Sequence, residues 1–205
     1  MKTTLTTLLL SAFLLVGCMD ESSNLTSPNV QINQQSTSPN WIMLPTDLGQ
    51  GFSVETEYSA QKLIKGELGG VIKLLVKIKR PDHEFGDFEM EAKVKVEKYS
   101  FPDNEERLFT IIMDPNNAYL NILPSPNTLL KHIKVDWEIE GIDVSNIDPN
   151  TFDFLYVGDN NEVLETSKEE ITVDYSKNKI KVKGAVIYPT TNGDTPGGSR
   201  YGFVH

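Results

Sequence analysis

Cysteine is almost absent from this sequence: Cys18 is the only one among 205 residues, so no disulfide can form within the chain. Histidine is scarce as well, and His83, His132 and His205 lie too far apart for the short ligand spacings of zinc sites. A catalytic triad through His132 lacks a nucleophile-elbow sequence. We therefore expect no metal centre, no cofactor and no enzymatic activity.

Basic residues are fewer than acidic residues in this chain. There are 19 lysines and arginines against 29 aspartates and glutamates, which gives a net charge of −10. An acidic protein is repelled by phosphate backbones, so nucleic acid is not an expected ligand. The same repulsion acts between the protein and anionic lipid headgroups, and it predicts that the folded part stands off from a bilayer.

Helical spacing of apolar residues is also missing from every window of 11 or more residues. What the sequence has instead is alternation of apolar and charged residues, most clearly over Phe88–Val96 and again over 133–139. Weaker runs of the same kind predict further strands near 52–58, 71–79, 107–113, 119–123, 152–157, 162–166, 171–173, 180–182 and 201–204. Asp, Asn, Pro and Gly separate these runs, which is typical of tight turns. The pattern predicts an all-β, mainly antiparallel sandwich over 41–205.

The N-terminus has the pattern of a secretory signal. Lys2 precedes an apolar run over 5–16, which is too short for a spanning helix, and polar residues follow at once. The run ends in Leu15-Val16-Gly17-Cys18. This tetrapeptide resembles the lipobox of bacterial lipoproteins, which implies cleavage after residue 17 and a lipid-modified Cys18 that anchors the protein to a membrane. The alternative is an ordinary signal peptide with an incidental cysteine.

The segment that follows the lipobox indicates a tether. Residues 18–40 are rich in Ser, Asn, Gln and Thr and have little with which to build a core. We expect a flexible linker of about 25 Å between the lipid and the domain. The expected organisation is thus a signal peptide over 1–17, the lipidated cysteine and linker over 18–40, and one β-sandwich over 41–205. Met19 stands where an aspartate would favour inner-membrane retention, so the resemblance favours the outer membrane within the cell envelope.

The part of the chain expected to fold, over 63–205, also resembles a known class of domain. The segments that carry it are Gly69-Gly70-Val71-Ile72-Lys73-Leu74, Leu120-Asn121-Ile122-Leu123-Pro124-Ser125-Pro126 and Gly141-Ile142-Asp143. Their order is similar to the layout of ZU5-like β-sandwich domains, and the closing part is similar to uncharacterised exported bacterial lipoproteins. ZU5 domains are protein-interaction modules, so the resemblance implies binding. It transfers no site residues.

Two carboxylate pairs have a spacing compatible with glycosidase chemistry. Glu89 with Glu91, and Glu138 with Glu140, would each lie on one strand face about 6.8 Å apart. Such catalysis needs an apolar pocket that raises one pKa, whereas lysines share these strands. We therefore expect a solvated surface.

Two other candidate sites are a calcium-binding loop and a surface of aromatic side chains that could stack on sugars. Asp159, Asn161 and Glu170 fit positions 1, 3 and 12 of an EF-hand count, but Leu164 stands where glycine is required. A looser calcium site in the acidic turns remains open. Six aromatic residues are candidates for stacking on sugars. Trp137 and Tyr156 are expected core members, and four lie near segment ends where they could be exposed: Trp41, Tyr175, Tyr188 and Tyr201.

Two functions follow from these observations. The first is a lipid-anchored envelope protein whose sandwich is a non-catalytic protein-interaction or structural module, with the Gly/Pro-rich stretch 190–198 as a variable contact. The second is a surface lipoprotein that binds or processes carbohydrate. The expected partners are the membrane, through Cys18, and an unidentified protein or envelope component.

Overall fold

The computed structural model describes residues 39–45, 58–157, 163–188 and 199–205. Eleven β-strands and one short 3-10 turn, Pro126–Thr128, make up the regular structure of these residues. In chain order the strands are β1 (Tyr58–Lys65), β2 (Gly70–Ile78), β3 (Phe88–Val96), β4 (Glu106–Met113), β5 (Tyr119–Leu123), β6 (Ile133–Glu140), β7 (Asp153–Val157), β8 (Val163–Glu165), β9 (Glu170–Asp174), β10 (Lys179–Ile187) and β11 (Ser199–Val204). No helix within these residues is long and apolar enough to cross a bilayer.

The strands form two antiparallel sheets that pack face to face. The first has six strands in the order β1-β4-β5-β11-β7-β8, and the second has five in the order β2-β3-β6-β10-β9. Every strand pair within the two sheets is antiparallel. The prediction of an all-β, mainly antiparallel sandwich is confirmed.

The core lies between the sheets and is filled by alternate residues of each strand. β3 shows the rule most clearly: its odd side chains are solvent-facing glutamates and lysines, and its even ones, including Val94, are buried. Trp137 of β6 is 1% exposed and contacts Phe203 of β11 at a ring-centroid distance of 4.9 Å. Tyr156 is buried and stacked on Tyr201. The predicted burial of Val94, Trp137 and Tyr156 is confirmed.

One strand was missed by the sequence analysis. β1 starts at Tyr58, where the expected run over 52–58 ends, and residues 52–57 lie outside the described part of the chain. Only Ile64 is fully buried in β1, because this strand is at the edge of the six-stranded sheet. Its polar residues therefore give no clear alternation, and its structure depends on eight paired positions with β4.

The two ends of the sandwich differ. Connections 66–69, 97–105 and 124–132 lie together at one end, which we call the loop end. The opposite end holds the turn 114–118 and the chain termini of the described domain, since Trp41 pairs with Val204. We call this the entry end, because the chain enters the domain there.

Residues 39–45 are bonded to the sandwich at the entry end. The Ile42 N–H donates to Phe203 O at 2.9 Å, and the Ala118 N–H donates to Ile42 O at 2.7 Å. The side chain of Ile42 is buried in the main core. Trp41 packs on the outer face of the six-stranded sheet, where its ring lies 5.3 Å from that of Tyr119 and covers Gly202. This segment is therefore an integral part of the fold.

Candidate binding surface at the loop end

The three histidines do not form a common site. His83 lies beside Phe85, His132 beside Tyr188, and His205 beside Asn40. Within the described ranges, no group of three His, Cys, Asp or Glu side chains is arranged to hold a metal ion.

The two carboxylate pairs lie side by side on the outer face of the five-stranded sheet. Glu89 is directly opposite Glu140, and Glu91 is directly opposite Glu138. Lys179 bridges the β6 pair, with its Nζ 2.5 Å from Glu138 Oε1 and 2.6 Å from Glu140 Oε1. All four carboxylates are partly exposed and each is within ion-pair distance of a lysine. The expectation of a solvated, lysine-paired surface is confirmed.

The pKa of Lys179 is shifted by its position between the glutamates. Partial burial alone would lower this pKa, but hydrogen bonds and charge from Glu138 and Glu140 raise it above its ordinary value. The two carboxylates therefore hold the Lys179 ammonium in its charged form.

Of the calcium-loop residues, Asp159 and Asn161 lie outside the described part of the chain. The third, Glu170, accepts a hydrogen bond from Lys181 Nζ at 3.2 Å. The Gly/Pro-rich stretch 190–198 also lies outside the described residues.

The four aromatics near segment ends divide evenly. The sequence left their exposure open. Trp41 and Tyr201 are buried, because Trp41 covers Gly202 and Tyr201 stacks on Tyr156, whereas Tyr175 and Tyr188 are exposed. They lie at the entry end and the loop end of the five-stranded sheet, so they do not form one sugar-stacking platform.

The loop end holds exposed apolar side chains that the sequence analysis did not single out. Leu68 is 60% exposed, Tyr99 is 54% exposed and Leu130 is 73% exposed. We call these three residues the apolar tip. They belong to three different connections, which join β1 to β2, β3 to β4 and β5 to β6. Leu68 also borders a shallow groove together with Val71 and several lysines.

Hydrogen bonds between the connections hold the apolar tip in place. The Tyr99 N–H donates to Gly66 O at 2.7 Å, and the Leu130 N–H donates to Ser100 O at 2.6 Å. Lys131 Nζ donates to Lys98 O at 2.7 Å and lies 5.6 Å from the ring of Tyr99. These bonds link all three connections, so the tip is ordered before any partner binds.

Tyr99 has a strained backbone. Its φ is +60°, in the left-handed region that a bulky residue seldom adopts. In the part of the chain that the structure describes, the two other non-glycine residues with positive φ are Asp82 and Asn178, which are of types that tolerate this region. Strain at an exposed aromatic persists only where the surrounding bonds impose it, and such positions are common at binding sites.

One sequence signal could have identified the tip. Leu129 and Leu130 are adjacent in the connection 124–132, after Pro124 and Pro126. Neighbouring side chains tend to point in different directions, so one of the two leucines is expected to face away from the core of the sandwich. Leu129 is buried and Leu130 is exposed. The alternation of apolar and polar residues does not reveal this pair, because it lies outside any strand.

Comparison with protein-family models, curated proteins and solved structures gives no significant match to this chain.

Proposed function

We propose that this chain is a lipid-anchored envelope protein whose sandwich binds a protein partner through the apolar tip, without catalysis. The observation that carries the proposal is the exposure of Leu68, Tyr99 and Leu130 on connections that are bonded to one another. Apolar side chains grouped at the end of a sandwich are typical of interaction surfaces.

The chemistry of the tip suits a protein partner. Tyrosine is one of the residues enriched in binding hot spots, and exposed leucines at the same end of the sandwich would help to exclude water around it. Because the loops are already ordered by hydrogen bonds, little conformational entropy is lost when the partner binds. Lysines 98 and 131 border the tip and would favour a partner with acidic residues around an apolar centre.

The lipobox-like sequence supports the anchored part of the proposal. Lipid on Cys18 would attach the chain upstream of Pro39, and Pro39 is at the entry end of the sandwich. The apolar tip is at the opposite end. An anchor upstream of one end and a binding surface at the other would leave the tip free to meet a partner away from the membrane. We place the protein in the outer membrane on the basis of Met19.

The test is partner capture by crosslinking in the native cell, with identification of the captured proteins. We expect the variant Leu68→Ser/Tyr99→Ser/Leu130→Ser to lose a partner that the wild-type chain captures reproducibly. The matched control is Leu63→Ser/Leu75→Ser/Leu108→Ser, which removes three leucines of similar exposure from the outer sheet faces.

The control should retain the partner. Equal capture by both variants, or equal loss in both, would contradict binding through the tip. The single variant Tyr99→Gly separates binding from folding, because glycine accepts a φ of +60° without strain. It should melt no lower than the wild type and still bind less partner.

A further inference from the structure

The outer faces of the two sheets differ in charge. On β3 and β6, in the five-stranded sheet, every outward side chain is charged. On β1, β4 and β5, in the six-stranded sheet, alternate residues pack in the core and most of the others are uncharged. We call these outward residues the neutral face: Ser59, Gln61, Leu63, Lys65, Glu106, Leu108, Thr110, Ile112, Tyr119, Asn121 and Leu123. Its charged members, Lys65 and Glu106, form an ion pair with each other at 3.2 Å.

Three leucines form the exposed apolar part of the neutral face. Leu63 is directly opposite Leu108 in the β1–β4 pair, and Leu123 is on β5, on the other side of β4. Their exposed fractions are 57%, 53% and 36%. Elsewhere on the same sheet the protein provides its own cover, where Trp41 lies over Gly202. The exposure of the leucines shows that they have no comparable cover within the described part of the chain.

We propose that the neutral face binds a second copy of this chain, face to face, about a two-fold axis close to β4. Copies with a net charge of −10 repel each other, and this repulsion is weakest where the facing surfaces carry no net charge. The neutral face meets this condition, because Lys65 and Glu106 neutralise each other. Contact through the five-stranded sheet would instead remove many charged side chains from water, which costs free energy.

The shape of the neutral face suits its own copy. Two sheets with the same right-handed twist pack face to face with their strands about 30° apart, and two identical faces have the same twist. β4 is the middle strand of the three. A two-fold axis close to β4 therefore brings Leu108 near the same leucine of the second copy.

The area of the neutral face predicts a weak dimer. Three strands about 4.8 Å apart and about 27 Å long cover roughly 400 Å². A standard stable interface buries about 800 Å² on each side, so the copies should associate reversibly. An axis parallel to the strands would place both entry ends on the same side of the dimer. In the proposed lipid-anchored state, which this orientation presupposes, copies in one membrane can then meet at a raised local concentration.

The test is co-purification of two differently tagged copies of the full chain, expressed together in the native cell and extracted in detergent after brief formaldehyde crosslinking. We expect Leu108→Lys to reduce co-purification roughly tenfold or more, because two like charges would be buried against each other. The matched control is Leu75→Lys, which adds the same charge at a leucine of similar exposure on the other sheet. The control should co-purify like the wild type.

A charge swap identifies the second copy as the occupant. Leu108→Glu in both copies should also abolish co-purification. One copy with Leu108→Lys and the other with Leu108→Glu should recover it, because opposite charges then face each other across the axis. Neither a foreign partner nor unfolding would produce this recovery. Absence of co-purification between wild-type copies, an equal loss in Leu75→Lys, or no recovery by the mixed pair would overturn the proposal.

Loss of this dimer is distinguishable from loss of the proposed partner. The apolar-tip variant should retain co-purification of the two copies. The variant Leu63→Ser/Leu75→Ser/Leu108→Ser should lose co-purification and still capture the partner. Capture of a different protein through the neutral face, with the two tagged copies unassociated, would also overturn the proposal.

Discussion

Trp137 shows how much a single side chain contributes to the core. It is 1% exposed, and its ring contacts those of Phe154 and Phe203 across the interface between the sheets. We predict that Trp137→Ala lowers the free energy of unfolding by about 3 to 5 kcal/mol. Lys95→Ala, on the outer face of the adjacent strand, should change it by less than about 0.5 kcal/mol. Denaturant unfolding of both variants checks this, and equal midpoints would contradict the assigned faces.

Tyr119 makes the domain sensitive to alkaline pH. Burial, and then a hydrogen bond to the Asp114 carboxylate at 2.8 Å, raise the pKa of its phenol from 10.0 to about 12. Because the folded state holds this proton more tightly than the unfolded state does, the phenol's contribution is full below pH 10.0 and is lost as pH rises toward about 12.

We predict that Tyr119→Phe removes this part of the alkaline loss. Unfolding free energies of the wild type and the variant, measured across that window, should converge as pH rises. All other side chains are the same in both proteins, so their contributions cancel in the difference. A constant difference across the window would show that the phenol does not titrate as described.

A small change at Gly202 would disturb the packing of the segment 39–45. A Cβ added at Gly202 would lie 2.4 Å from the carbonyl oxygen of Ala118, 2.6 Å from Tyr119 Cβ and 2.7 Å from Trp41 Cζ3. We predict that Gly202→Ala lowers the free energy of unfolding by about 1 to 3 kcal/mol, because the backbone at Ala118 and both aromatic residues must move.

The double variant Trp41→Ala/Gly202→Ala measures how much of this cost comes from the indole. Once the indole is gone, alanine at 202 should cost less, so the two effects should not add. Proteolysis within 39–45 should rise in each single variant. Additive losses would show that Trp41 is not the group displaced by alanine at 202.

Some strands could be predicted from their own sequence more accurately than others. β3 and β6 were predicted closely, because central strands with one buried face alternate strictly. β1 was missed because an edge strand buries few residues and is specified by its partner β4. The apolar tip was missed for another reason. Its three residues come from separate connections, and only the closing of the sandwich brings them to one end.

At the scale of the whole molecule, the net charge does not show how charged residues are distributed over the surface. The acidic total predicted a domain repelled by anions, and the described surface concentrates lysines on half of one sheet face. The total could not predict this, because it depends on which strands become neighbours: Lys95 and Lys134 are distant in sequence and adjacent in the sheet.

The proposed attachment to a membrane is tested at Cys18. We predict that Cys18→Ala moves the protein from the detergent phase to the aqueous phase, because the three acyl chains expected on a lipidated Cys18 would bind a membrane almost irreversibly and the variant could carry none. The released protein should melt like the wild type. Retention in the detergent phase would show that the protein is anchored elsewhere.

The direction of the segment 39–45 has a mechanical consequence. It runs antiparallel to the end of β11, so a force applied upstream of Pro39, directed away from the entry end, acts along the segment's own axis. The hydrogen bonds of Ile42 with Phe203 and Ala118, and the contact of Trp41 over Gly202, are then loaded together in shear instead of being peeled apart one by one. If a lipid holds one end and a partner pulls at the other, these contacts of the segment 39–45 would determine the force at which the domain begins to unfold.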